Sequence, residues 1–435
     1  MWRADVSQTD NVTDMDPMVR YAVERLTSLV DPTWLHQETQ KPYRLDSAFL
    51  VNPLHLVNGV RVGMGLRNGG PQRFARMLLL AQDHLDKCMN LDFFSAAMLV
   101  PELAVFGTNL EEIKTLGPEA DKKVASLSLM SSDQVSSTIY ELLVGASSVR
   151  AGLDLTMIEE DKSKKVPEYR IGNLHGVPAV IECKRRRGLT DYELKEAALV
   201  EQLYIWGRSA LRERGVYGSV EACFLVPLES VPVDEFIELV NKAIAKVDHG
   251  DPIRANWGSL AFRSLPYRRS VTETRLYSPQ FLEEVFGWNT DQDEWDGIVC
   301  EVEAPPRVDV ELFSMPFCLK WRSESAEALL RKARGIKSLW VGAIQQIPDG
   351  EMGFIYVAYP EGSRAAIADT RTKQILKELN EVWHRWSVRA PATVVSRLYA
   401  RALGAGVPDL IENVLLAATE GEEFWFTKLP QRVFT

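Results

Sequence analysis

The chain has few of the features that most membrane, zinc and nucleotide sites require. No apolar run is long enough to span a bilayer, so no transmembrane helix and no membrane partner are expected. The opening residues, Met1-Trp2-Arg3-Ala4-Asp5, lead into polar sequence without the apolar segment of a secretory signal, and a cytoplasmic location is the expectation. Cysteine is scarce: five residues, at 88, 183, 223, 300 and 318, with no close pair. Zinc fingers and ribbons need two Cys or His a few residues apart, twice over. Neither these cysteines nor the six scattered histidines supply that pattern. The cysteines read as buried free thiols in a reducing compartment. A glycine-rich phosphate loop is also missing. Metal chemistry is left to carboxylates, and therefore to magnesium or manganese rather than zinc.

Positive charge is in deficit too. The 435 residues carry 50 Lys and Arg against 60 Asp and Glu, a formal net charge of −10. That excludes a protein coating nucleic acid non-specifically, but leaves room for a local basic groove. One stretch runs against the average. Between Lys162 and Arg187 stand eight basic residues (Lys162, Lys164, Lys165, Arg170, Lys184, Arg185, Arg186 and Arg187) against only Glu168 and Glu182. The length calls for two or three domains or one elaborated one.

Residues 1–130 read as a helical accessory domain, with apolar positions at helical spacing over Pro71–Cys88 and Phe93–Phe106. The pattern changes at 131. Ser131-Ser132-Asp133 offers capping side chains, and Val135, Ile139, Leu142, Ala146 and Val149 follow as a stripe that Gly152 closes. Strands are expected at Leu153–Met157, Tyr169–Ile171 and Val177–Lys184. Thr190 with Glu193 forms a capping box that opens a helix to about Glu213, and Val220–Val226 reads as a buried strand. The order over 131–230 is helix, three strands, helix, strand. Residues 231–435 read as a C-terminal α/β extension, with strands at Gly297–Val302, Leu339–Ile344 and Gly353–Tyr359 and helices at Ser325–Arg334 and Thr370–Trp386. The extension either continues one sheet or forms a second layer.

The chemistry concentrates on Val177–Lys184. Side chains two apart on a strand share a face, which places Val180, Glu182 and Lys184 together and Ala179, Ile181 and Cys183 opposite. A carboxylate beside an ammonium at the end of a buried strand is expensive to desolvate without a task. Phosphodiester hydrolysis provides one: carboxylates hold a divalent cation, and a nearby lysine orients the attacking water and stabilises transition-state charge. Glu168 lies fourteen residues before Glu182, and a hairpin through Gly172 and Gly176 would return it to Glu182. Glu141 shares a helix face with Gly145 and Ser148, small enough to permit close approach.

With Glu141 on a helix, then Pro167-Glu168-Tyr169-Arg170-Ile171, then Ile181-Glu182-Cys183-Lys184-Arg185-Arg186, residues 131–230 resemble the PD-(D/E)XK nuclease superfamily. The resemblance implies a restriction-endonuclease-like core, a mixed central sheet flanked by helices. It also implies a metal-dependent nuclease acting on DNA rather than RNA, in defence, restriction or repair. It makes Glu168 and Glu182 ligands of magnesium or manganese, the backbone carbonyl of Cys183 a third, Lys184 the catalytic lysine, and Glu141 the helix acid. Gln202 falls where some members carry a further active-site glutamine. Arg185, Arg186, Arg187, Lys164 and Lys165 are then the candidate substrate contacts. Cleaving both strands calls for two sites, hence a homodimer or a partner protein. Position 168 departs from the family's commoner Asp, and Asp154 is the rival acid. A catalytically silent nucleic-acid-binding or assembly module is the alternative. The alternative reading of Lys184 to Arg187 is a solvated basic turn, against which the Glu182 partner and the strand context weigh, and that of Glu141 is an ordinary exposed helix acid. Pro408-Asp409 with Glu412 reads as helix punctuation near Gly406, Glu301 and Glu303 as solvent-facing, and Arg263, Arg268 and Arg269 as a scattered surface cluster.

Overall fold

The computed structural model describes residues 3–7, 15–41, 54–57, 60–62, 72–86, 93–161, 163, 165–174, 176–186, 190–216, 218–246, 252–264, 296–302, 317–360, 365–386, 389–403, 407–418 and 423–434. In chain order, β1 (Arg3–Ser7) precedes α1 (Asp16–Thr27), α2 (Pro32–Thr39), β2 (Leu54–Val57) and β3 (Val60–Val62). Helices α3 (Arg73–Leu85), α4 (Phe93–Thr108), α5 (Leu110–Thr115), α6 (Pro118–Ser126) and α7 (Ser132–Arg150) follow. Then come β4 (Leu155–Met157), β5 (Tyr169–Leu174), β6 (Val177–Arg185), α8 (Asp191–Glu213), β7 (Gly218–Phe224), α9 (Val233–Ala245), β8 (Ile253–Ala255), β9 (Gly258–Ser264), β10 (Gly297–Val302) and β11 (Phe317–Ser323). The last elements are α10 (Ala326–Ala333), α11 (Ile336–Ile344), β12 (Met352–Pro360), α12 (Ala365–Trp386), β13 (Ala392–Leu403) and β14 (Val407–Ala418).

The protein is α/β, with two mixed seven-stranded sheets among the described residues. The first runs β1-β14-β13-β12-β6-β5-β4 and the second β3-β2-β10-β11-β7-β9-β8. Strand β6 is central to the first, antiparallel to β5 and parallel to β12, with Glu182 opposite Ile355 and Lys184 opposite Val357. Its alternation serves two cores. Ala179, Ile181 and Cys183 join the core built with α1, α3, α4 and α7, while Val180 joins the one beneath α11 and α12. With both faces covered, the strand carries an almost unbroken apolar run in which Glu182 stands out.

The packing does not follow the division into 1–130, 131–230 and 231–435. Val19, Phe74, Leu99 and Leu103 share one core with Ile181, Phe354 and Val394, so the N-terminal helices cover a face of the first sheet rather than forming a separate accessory unit. Strands β1, β2 and β3 also lie in the segment that reads as helical. In the helix–three strands–helix–strand series, β7 belongs to the second sheet, paired with β11 and β9, and β12 takes the place beside β6. Residues 191–333, carrying α8 to α10 and most of the second sheet, lie between β6 and the helix and strand that follow it in space. Leu339–Ile344, expected as a strand, is the end of α11. Ile336, Trp340, Ala343, Ile344 and Ile347 are buried at helical spacing, and that long-period stripe outweighs the local β-branched content. Pro408-Asp409 and Glu412 lie on strand β14, not at a helix end. Among the described residues no helix is long and apolar enough to cross a membrane.

Candidate active site

The site assembles where α6, α7, β5, β6 and the end of α11 meet. Helix α7 begins with a capping box: Ser131 Oγ accepts from the Gln134 amide, and Gln134 Oε1 accepts from the Ser131 amide. Glycine at 145 lets the helix close on β5, since a Cβ there would lie 2.6 Å from the Tyr169 hydroxyl oxygen. The Tyr169 hydroxyl donates to the Glu141 carbonyl at 2.8 Å, which fixes the turn of α7 that carries Glu141. Glu168 immediately precedes β5, and its amide donates to the Ile181 carbonyl at 3.1 Å. The β5–β6 hairpin, turning at Gly176 with φ of 76°, thus returns Glu168 to the strand that carries Glu182, as the spacing predicts.

Glu182 is fully buried. Its Oε1 accepts from Lys184 Nζ and, at 3.0 Å, from Gln346 Nε2, while its Oε2 is buried with no hydrogen-bond partner. Across the pocket, Lys123 Nζ from α6 donates to Glu141 Oε2 at 2.9 Å and to Glu168 Oε2 at 3.1 Å, with Glu160 Oε1 at 3.4 Å. The Lys123 side chain is only 7% exposed, against 26% for Lys184. Three acids thus share two ammonium groups. Burial pushes the Glu182 carboxyl up to about 8, opposed by Lys184 and reinforced by Glu168. Burial and Glu168 push Glu141 up to about 7, against the pull of Lys123. Burial works against the charge of Lys123, but Glu141 and Glu168 outweigh it and hold the ammonium firmly protonated. The Cys183 thiol lies in the opposite core, pushed well up by burial, which leaves only its backbone carbonyl for the ligand role that the resemblance implies.

The remaining sequence candidates sit elsewhere. Gln202 is exposed on α8, a helix whose buried residues Val200, Leu203 and Tyr204 pack with the second sheet, so it is not at the pocket. Arg185 is buried, with Nη1 donating to Glu102 and, at 2.9 Å, to the Ser136 carbonyl. Arg186 is buried against Glu193, which Arg371 also approaches at 3.4 Å. These guanidinium groups hold the fold together and do not line a groove, because a desolvated arginine needs a carboxylate partner. Lys165 is exposed, and Lys164 and Arg187 lie outside the described residues. Asp154, the rival acid, is exposed before the edge strand β4, two strands from β6.

Lys123 and Gln346 were not singled out from the sequence. Lys123 had a signal: with Ala120 and Leu127 it occupies buried positions at helical spacing, where a lysine is out of place. Gln346 had one only if 336–347 is read as a helix, which places it one turn beyond Gly342 and beside β6.

Among the described residues no three His, Cys, Asp or Glu side chains gather closely enough to hold a metal ion; Glu141 and Glu168 are drawn to the Lys123 ammonium and Glu182 to Lys184 instead. The donor chemistry still suits a hard cation. The groups are carboxylate oxygens, one of them buried and unpartnered, and a positive charge already stands between Glu141 and Glu168. The chain matches no protein-family model, no curated protein and no solved structure.

Proposed function

We propose that this protein is a metal-dependent nuclease with a restriction-endonuclease-like core, hydrolysing phosphodiester bonds in DNA rather than RNA, in defence, restriction or repair. The observation that carries the reading is the charge imbalance at Glu182. A fully buried carboxylate, with one oxygen unpartnered, sits among two further acids and only two lysines. An acid pocket short of positive charge suits a divalent cation and is costly for a purely structural cluster. The helix and three strands α7, β4, β5 and β6, in that order along the chain, also support the reading.

Glu168 and Glu182 would hold magnesium or manganese, with the Cys183 carbonyl and Glu141 as further oxygen donors. A bound divalent cation would neutralise phosphate charge and acidify a water. Lys184, partly exposed and bonded to Glu182, would hold a water or a phosphate oxygen while remaining anchored. Gln346 holds Glu182 Oε1 and so fixes the carboxylate's orientation.

A second reading, a catalytically silent nucleic-acid-binding or assembly module, is favoured by one observation: Lys123 already pairs with both Glu141 and Glu168. The two readings separate on cleavage of supercoiled plasmid and of single-stranded DNA with magnesium or manganese. Cleavage by the wild type, lost in Lys184→Ala and Glu182→Ala variants that keep their circular dichroism, is the expected result. No cleavage by the wild type with either metal would overturn the nuclease reading in favour of the silent module.

A further inference from the structure

The least expected group in the pocket is Lys123. It is buried, it comes from α6 rather than from any of the strands, and it bridges two acids from different elements at 2.9 and 3.1 Å. A nine-residue helix brings it there, with Ala120 buried on the same face. Burying an ammonium is costly, and here Glu141 and Glu168 compensate, with Glu160 at 3.4 Å nearer the surface. Glu160 is 73% exposed, so it offers the ammonium an alternative anchor outside the pocket. The lysine therefore has two sets of carboxylates within reach, one inside the acid cluster and one at its rim.

We propose that Lys123 is a built-in counter-cation that closes the acid cluster at rest and must leave Glu141 and Glu168 for a divalent cation to bind. This rests on the reading of the cluster as a divalent-cation site. An ammonium and a divalent cation cannot both occupy the space between the same two carboxylates without strong repulsion. Loading then exchanges one cation for another, with Lys123 moving outward towards Glu160. The lysine keeps the acids from repelling one another in the empty state, and it lowers apparent metal affinity by the free energy needed to displace it. In this scheme Lys123 is a positioning residue.

Two measurements test this, neither depending on activity. The first is direct manganese binding, read from the loss of the free-ion electron paramagnetic resonance signal, in wild type, Lys123→Met and Lys123→Met/Glu168→Gln. The expected result is about tenfold tighter binding in Lys123→Met than in wild type, and loss of that gain in the double variant. Equal affinity in wild type and Lys123→Met would overturn the counter-cation role while leaving the divalent site standing. No binding in any of the three would overturn the metal reading and this inference with it. The second measurement needs no variant, in case Lys123→Met fails to fold. The wild type is acylated with an amine-reactive ester, with and without saturating magnesium, and Lys123 labelling is followed by peptide mass spectrometry. Labelling of Lys123 should rise on magnesium addition, with Lys122 as the exposed internal reference. Unchanged Lys123 labelling at saturating magnesium would overturn the displacement.

Discussion

Two buried groups of charge flank the same strand, β6, and they are balanced in opposite ways. At its C-terminal end, Arg185 donates twice to Glu102, and Arg73 reaches the same carboxylate at 3.4 Å. One acid there meets two guanidinium groups. Burial alone would raise the Glu102 pKa, but Arg185 and Arg73 together hold it below the usual carboxylate range. One residue back on the strand, three acids share Lys123 and Lys184, and two of those acids are pushed up to about 7 and about 8. In the first group positive charge exceeds the acid and the Arg185 fork meets both carboxylate oxygens, the pattern of an ion cluster that fastens α4 to the sheet. The second is left short of positive charge, with a buried oxygen that bonds to nothing. Burial and ion pairing do not by themselves distinguish a structural cluster from a functional one; the sign of what is still missing does.

Substitutions can sharpen this contrast. The largest effect is expected from Glu102→Ala, which strands Arg185 and Arg73 in the core and should cost about 3–5 kcal/mol of stability. Urea denaturation would show it as a lowered midpoint, and an unchanged midpoint would break the assignment of that cluster as structural. Lys184→Ala should act the other way round: stability nearly kept, cleavage lowered about 10²–10³-fold, the scale of one lost charge-stabilising group in a hydrolytic site. Loss of folding together with activity would place Lys184 with the structural cluster. Gln346→Ala should lower activity about tenfold, as expected for a group that orients a ligand rather than being one, and single-turnover cleavage rates would measure it.

The pH response should also divide the two clusters. Glu182 and Glu141 keep their protons in the fold at pH values where the unfolded chain, with ordinary carboxyls near 4.5, has released them. Their contribution is therefore fully present below about 4.5 and is lost as pH rises from 4.5 through about 8. Glu102, with its pKa depressed, contributes in the opposite sense and loses its part as pH falls below the ordinary carboxyl range. Melting temperature should drift down over the first window, and Glu182→Gln, which resembles the protonated acid, should flatten that drift. An equal slope in wild type and Glu182→Gln would break the comparison at its pocket side. The smallest effect is expected at the surface, where Arg331 pairs with Glu229 and Glu327 on solvated faces. Arg331→Ala should leave the denaturation midpoint nearly unchanged, because a solvated ion pair adds little to stability.

Much of the pocket was legible in the residues alone. Alternation along Val177–Lys184 put Glu182 and Lys184 on one face, the glycine at 176 allowed the hairpin that returns Glu168 (Gly172, also read as part of the turn, lies within β5), and Gly145 announced the close approach of α7. These are local rules of period and turn, and they hold because each involves residues near one another in the chain. The mixed α/β class followed from the same patterns. Tertiary structure alone decided the rest. Which strand lies beside β6 depends on a partner 173 residues away, Val357 opposite Lys184, and nothing in the period of β7 distinguishes joining one sheet from joining the other. Whether Arg185 and Arg186 face a groove or a buried carboxylate depends on where Glu102 and Glu193 arrive. Lys123 becomes the counter-charge of Glu141 and Glu168 only because packing brings α6 against α7 and β5. A chain can encode the face that a side chain occupies, but the charge opposite it is set by long-range contacts, because electrostatic partners are chosen by distance in space and not along the sequence.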